Sequence, residues 1–251
     1  SKDAAGRTQS NMESEVDPQL KEVVKHLRRD FALANSADIG HGKKPVSKKA
    51  NDKQSAPGLF IQTKKTDQTH MILGVRAYDM WSQDRFALSV LATLLGGGMS
   101  SRLFIQVRER RGLAYSVHTG VDTYIDAGYL ATQVGVEHKN LEETIRVILD
   151  EYKKIATEKV DKEELAKAKE YIKGKIAMGF EGSDDVIEYL VTQEVSRGEV
   201  VLPKEKMKQI DRVTADDILR VAQDIFVNKK LNLTIIGPHT NPKKLEKLLT
   251  F

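Results

Sequence analysis

Apolar positions along this chain repeat with two periods, and the alternation between them lays out the elements. LFIQTKK from Leu59 and THMILGVRAY from Thr69 read as two strands joined through Thr66 and Asp67. From Trp81 or Ser82, SQDRFALSVLATLL has the three-to-four residue spacing of an amphipathic helix that stops at Gly96, Gly97 and Gly98. A short helix to about Arg111 follows, ended by Gly112. LAYSVHTGVDTY and AGYLATQVGVE are long strands with a turn near Ile125 and Asp126. Asn140 then opens a helix with Glu143 at the capping-box position and a stripe of Leu141, Ile145, Ile148, Leu149, Tyr152 and Ile155. Asp161 caps the next helix, with Glu164 three residues on, and that helix extends to Phe180. Further helices are predicted from Ser183 to Arg197, from Pro203, and over ADDILRVAQDIF with Thr214 as cap. LNLTIIGP is a last strand, and a short helix begins near Asn241.

Upstream of this pattern, residues 1–16 have too little apolar content to pack and are expected to be a disordered tail. Residues 17–34 read as a helix, with Pro18 in its first turn and Leu20, Val23, Val24, Leu27 and Phe31 at helical spacing. Residues 35–57 carry the Gly, Pro, Ser, Lys and Asn of a linker, and the main domain is 58–251. Strands at both ends of that domain with helices between them predict an α+β fold: a two-layer sandwich, its mostly antiparallel sheet covered by helices on one face. Four successive helices after Glu137 contradict a doubly wound parallel sheet.

Composition narrows the function classes. With 40% hydrophobic and 30% charged residues, the 251-residue chain has enough for a sizeable core and is expected to be soluble. No apolar run approaches the ~20 residues that span a bilayer. The start, SKDAAGRTQSNMESEVD, lacks both an apolar signal region and an initiator Met, so a fragment or processed product is expected. The net charge is +4; the first 57 residues hold 11 basic and 8 acidic side chains, leaving 29 and 28 for the rest. The folded part is thus nearly neutral, which argues against a nucleic-acid surface. HGKKPVSKKANDK reads as a flexible linker instead.

Several chemistries are excluded by pattern. The chain has no cysteine, and His26, His41, His70, His118, His138 and His239 belong to neither HExxH nor HxxEH, so no metal ligand set is read in this chain. These imidazoles read as surface or loop residues. GxSxG, GxxxxGK[ST] and GxGxxG are all missing.

The most informative stretch is LLGGGMSSRLFIQVRERRGLAYSV, Leu94 to Val117. Three consecutive glycines mark a sharp turn or a close approach. Ser100 or Ser101 is placed to cap the short helix. On a 3.6-residue wheel Leu103, Phe104 and Val107 form its apolar stripe, with Arg108 at the stripe's edge. Arg108 there either snorkels or reaches across a cleft, and the Gly112 break brings Tyr115 within its range. The plain alternative is a capped helix with solvated arginines and a core tyrosine.

GGGMSSRLFIQVRERRGLAYSV resembles the signature of the C-terminal half of the pitrilysin-type zinc peptidases, a family that includes insulin-degrading enzyme and the mitochondrial processing peptidases. The resemblance runs from about Leu59 to the end of the chain. It implies one half of a two-half clamshell, in which the other half carries an HxxEH zinc motif with a further Glu. This half supplies an Arg and a Tyr seven positions apart, here Arg108 and Tyr115, to the substrate carbonyl and the developing oxyanion. The implied activity is a zinc metalloendopeptidase closing on peptide substrates, with this chain inactive alone. Zinc is expected in the partner half, whether on the same polypeptide or a separate subunit. The helix at 17–34 would then be the tail of the preceding half. Some family members are inactive scaffolds, as in the respiratory cytochrome complex, and that is the alternative. A stand-alone module adding a peptide to a sheet edge is a third reading.

Overall fold

The computed structural model describes residues 53–198 and 200–251. The expected tail and helix over 1–34, and all but the last five residues of the expected linker, lie outside them. The chain divides into two compact units, whose described parts are 53–175 with 208–251, and 176–207.

The larger unit is built on five strands: β1 (Gly58–Thr63), β2 (Thr69–Ala77), β3 (Ala114–Thr123), β4 (Gly128–Val136) and β5 (Leu231–Gly237). Their order across the sheet is β1-β5-β2-β4-β3, with β1 and β5 parallel and the other neighbours antiparallel. β1 and β2 are consecutive in sequence but do not pair, because β5 lies between them. The alternation predicted for the strands fixes which face is buried. Met71, Leu73 and Val75 of β2, Leu130 and Val134 of β4, and Leu233 and Ile235 of β5 are all buried, while Ile72, Tyr129 and Thr234 between them are exposed.

Helices α1 (Arg85–Gly96), α2 (Leu141–Thr157) and α6 (Ala215–Ile225) close the core over that face with Leu88, Leu91 and Leu95, Ile145, Ile148 and Tyr152, and Ile218, Val221 and Ile225. Between α2 and α6 come α3 (Lys162–Met178), α4 (Ser183–Arg197) and α5 (Pro203–Arg212), and α7 (Pro242–Glu246) ends the chain. The expected sandwich, mostly antiparallel and helix-covered, is the observed one. Tyr152 stacks on Phe226 with ring centroids 4.4 Å apart, and its hydroxyl joins a buried chain with Thr132 (2.6 Å) and Thr119 (2.7 Å from Thr132).

Helix starts were partly legible. Thr214 and Asp217 form a complete capping box, and Asp161 accepts the Glu164 amide at 2.7 Å. Asn140, by contrast, caps nothing: His138–Asn140 is a 3-10 turn, Asn140 already has helical dihedrals (φ −92°, ψ −5°), and its carbonyl accepts the Thr144 hydroxyl. Helix α1 begins at Arg85 rather than at Trp81 or Ser82, because Ser82 closes a turn by accepting the Asp84 amide on its hydroxyl at 3.1 Å. Helix α3 stops at Met178, short of Phe180. In the smaller unit, Tyr189 of α4 donates to the Val201 carbonyl at 2.7 Å and meets Phe180 edge-on at 4.7 Å. Gly198, with φ +64°, closes α4 in the left-handed region.

Two of the histidines expected at surface or loop positions are joined through a buried threonine. His138 Nε2 donates to the Thr66 carbonyl at 2.9 Å, so with neutral rings its Nδ1 accepts the Thr69 hydroxyl at 2.8 Å, and that oxygen accepts from His239 Nε2 at 2.7 Å. Thr69 is fully buried. Burial, and then the charge of His138, hold the His239 pKa below the usual histidine value, with Glu142 acting weakly the other way. As pH falls through about 6.5 the unfolded chain therefore takes up the His239 proton first, so stability is full above that pH and lost below it. Urea midpoints measured from pH 8 to pH 5 should fall, and His239→Asn should flatten that fall. An unchanged slope in the variant would assign the effect elsewhere.

Candidate functional site

Helix α1 runs into the glycine triplet, and close approach rather than reversed backbone is what requires a glycine at Gly96. Gly97 has ordinary helical dihedrals (φ −78°, ψ −27°). A Cβ on Gly96 would lie 2.6 Å from the Thr119 amide nitrogen, so the end of α1 lies directly against β3. Ser101 does not cap the following segment: its hydroxyl donates back to the Gly98 carbonyl, and it is 5% exposed. Arg102 anchors the loop to α3 through a bidentate pair with Glu164, at 2.7 and 2.8 Å. Such a fork fixes direction as well as distance.

The short helix is a π-helical turn, Phe104–Glu109, and not the α-helix expected from the wheel. The Arg110 amide reaches the Ile105 carbonyl at 2.9 Å, one residue further than an α-helix allows. Leu103 and Val107 are buried, as the stripe requires, and Phe104 packs against the core at its rim. Gly112 takes φ +58° and turns the chain into β3.

β3 begins with a bulge. Ala114 pairs with Val136 and Val117 with Val134, three steps on one strand against two on the other. Ala114 and Val117 both face the core, so the extra residue leaves Tyr115 and Ser116 outside together. Bulges re-aim side chains in this way. Tyr115 is 81% exposed, so it is not the core tyrosine of the plain alternative.

The structure brings the two predicted site residues together. The guanidinium carbon of Arg108 lies 4.6 Å from the centre of the Tyr115 ring and 4.9 Å from that of Phe104. Among the described residues, no carboxylate or carbonyl bonds the Arg108 guanidinium; its contacts there are the faces of the two rings. A permanent cation with open donors, next to a phenol, suits an oxygen that carries or develops negative charge. Phe104 was read from sequence as core alone; an aromatic four residues before an arginine is the signal that marks its second contact.

Beyond this pair, the sheet face opposite helices α1, α2 and α6 lines a pocket. Gly74, Ala131 and Gly120 are cross-strand neighbours at its floor. Ile72, Gln133 and His118 flank them on one side, Arg76, Tyr129 and Asp122 on the other, around about 610 Å³. Gln54, the end of the expected linker, is pinned at one margin, accepting from Arg76 at 2.8 Å and donating to the Leu231 carbonyl at 2.9 Å. Among the described residues there is no cluster of three or more His, Asp or Glu able to hold a metal ion, and no helix is long and apolar enough to cross a membrane.

The family profile described as the peptidase M16 inactive domain matches residues 13–172. An uncharacterized zinc protease of Mycobacterium tuberculosis is 32% identical over 210 residues, 83% of this chain and 48% of its own. The chain thus spans about half the length of the curated relatives it matches. A solved peptidase M16 inactive domain from Pseudomonas fluorescens superimposes with a TM-score of 0.65 at 21% identity, over 80% of this chain and 47% of that one. A chain of complex III2 from Candida albicans gives 0.72 at 16% identity, over 88% and 55%.

Proposed function

Because the chain belongs to the M16 peptidase family, matching its inactive domain, we propose that it is the zinc-free half of a two-half metalloendopeptidase that closes over peptide substrates. The observation that carries this reading is the Arg108–Tyr115 pair, with the guanidinium carbon 4.6 Å from the ring centre. The zinc belongs to the partner half, where it supplies a Lewis acid and an activated water when bound. In this chain, Arg108 holds the scissile carbonyl oxygen and the charge that develops on it, and Tyr115 donates a hydrogen bond to the same oxygen. An extended peptide lies on the open sheet face, whose floor of small side chains leaves room for its backbone.

The experiment is reconstitution. The chain alone should leave a quenched peptide library intact, and adding the zinc-bearing half should produce hydrolysis that a chelator abolishes. A scaffold subunit, the alternative, would give no hydrolysis with that half present. The Arg108 guanidinium, held on two ring faces and bonded to no acceptor among the described residues, favours the enzyme.

A further inference from the structure

We infer that Phe104 is a positioning residue for Arg108, an inference that rests on the peptidase reading above. An arginine that must meet a substrate oxygen faces a conflict. Its long side chain needs something to hold it, but a carboxylate partner would neutralise its charge and occupy the same N–H groups the substrate requires. An aromatic face resolves this, because the ring attracts the guanidinium through its π-electrons and leaves the in-plane donors open.

Two rings lie against Arg108, and they differ in rigidity. Tyr115 is 81% exposed and stands on the bulge of β3, so it has little packing of its own to hold it. Phe104 is half-buried and packs on the core at the start of the π-helical turn that also carries Arg108. That turn is itself tied down. Leu103 and Val107 are fully buried beneath it, and Arg102, just before it, is forked onto Glu164. Each π-helical turn holds more residues than an α-helical one, so side chains four apart lie more nearly above one another. The guanidinium carbon of Arg108 accordingly lies 4.9 Å from the centre of the Phe104 ring. Phe104 is therefore the fixed wall, and Tyr115 is free to engage substrate.

The test is steady-state kinetics of the assembled two-half protein. Phe104→Leu keeps an apolar side chain on the core but removes the ring face. It should lower kcat about tenfold with little change in KM, the scale of a cation–π contact. Phe104→Trp, which retains a ring face, should restore most of the loss; a purely structural role would not be rescued by a larger side chain. In an Arg108→Ala background Phe104→Leu should cost nothing further, since the two act as one unit. Phe104→Met repeats the test should the leucine variant fold poorly. Near-normal kcat in Phe104→Leu, or an equal loss in both backgrounds, overturns the inference while leaving the peptidase reading intact. Unchanged turnover in Arg108→Ala and Tyr115→Phe would instead remove that reading, and this inference with it.

Discussion

Replacing Arg108 by lysine should lower turnover of the assembled peptidase by about 10²–10³-fold, the usual loss when one oxyanion donor goes. Lysine keeps the charge, but a point charge on a flexible stem has neither the planar fork nor the flat face that the Phe104 and Tyr115 rings accept. A loss nearly as large for lysine as for alanine would show that geometry, and not charge alone, is what the site uses. Tyr115→Phe should act on the same oxygen, and because the ring stays in place to face Arg108, its loss reports the hydroxyl alone. The two substitutions together should cost less than the product of the single losses. The measurement is kcat and KM on one peptide for the wild type, the two Arg108 variants, Tyr115→Phe and the double variant. Full turnover in Arg108→Lys would remove the proposed role.

A large stability loss is expected at Gly96. The added carbon of Gly96→Ala would sit 2.6 Å from the Thr119 amide nitrogen and 2.8 Å from its Cβ. Backbone cannot swing aside, so either α1 or β3 must shift, and overpacking of this kind costs about 1–3 kcal/mol. For a domain of this size that lowers Tm by roughly 2–12 °C. Thr119 also belongs to the buried hydroxyl chain with Thr132 and Tyr152, which a displaced strand would pull apart. Gly98→Ala is the control. Its new carbon would meet the edge of the Tyr171 ring at 3.0 Å, and that partly exposed side chain has somewhere to go. Equal melting points for the two variants would mean that helix and strand are not in rigid contact.

Local features of this chain were readable because residue type dictates them. Residue type and turn signals gave the strands β2 and β4, the Thr214 and Asp161 caps were apparent from hydroxyl and carboxylate positions, and of the sharp turn or close approach read for the glycine triplet, the close approach is what Gly96 requires. The seven-residue spacing of Arg108 and Tyr115 could be read as a possible meeting, and the turn at Gly112 delivers it. What stayed hidden depends on which backbone groups pair. Nothing in FIQVRE distinguishes a π-helical turn from an α-helical one, because the choice lies in whether an amide reaches four or five residues back. The bulge at Tyr115 depends likewise on the register of β3 against β4. The insertion of β5 between β1 and β2 is a pairing between opposite ends of the domain, beyond the reach of any local pattern.

That insertion has a consequence for how the protein is made. Gly58 pairs with Asn232, so β1 and β2 emerge during synthesis long before the strand that joins them. At about 5–20 residues per second the interval is roughly 10–30 s. Once β3 and β4 have followed, the nascent chain has β2, β4 and β3 able to pair, with the β2 edge bare and β1 unattached. Bare edges invite pairing with other chains. Holding chaperones should therefore matter most while the ribosome is still short of Leu231, and a stop codon before that residue should yield aggregate rather than a smaller folded domain.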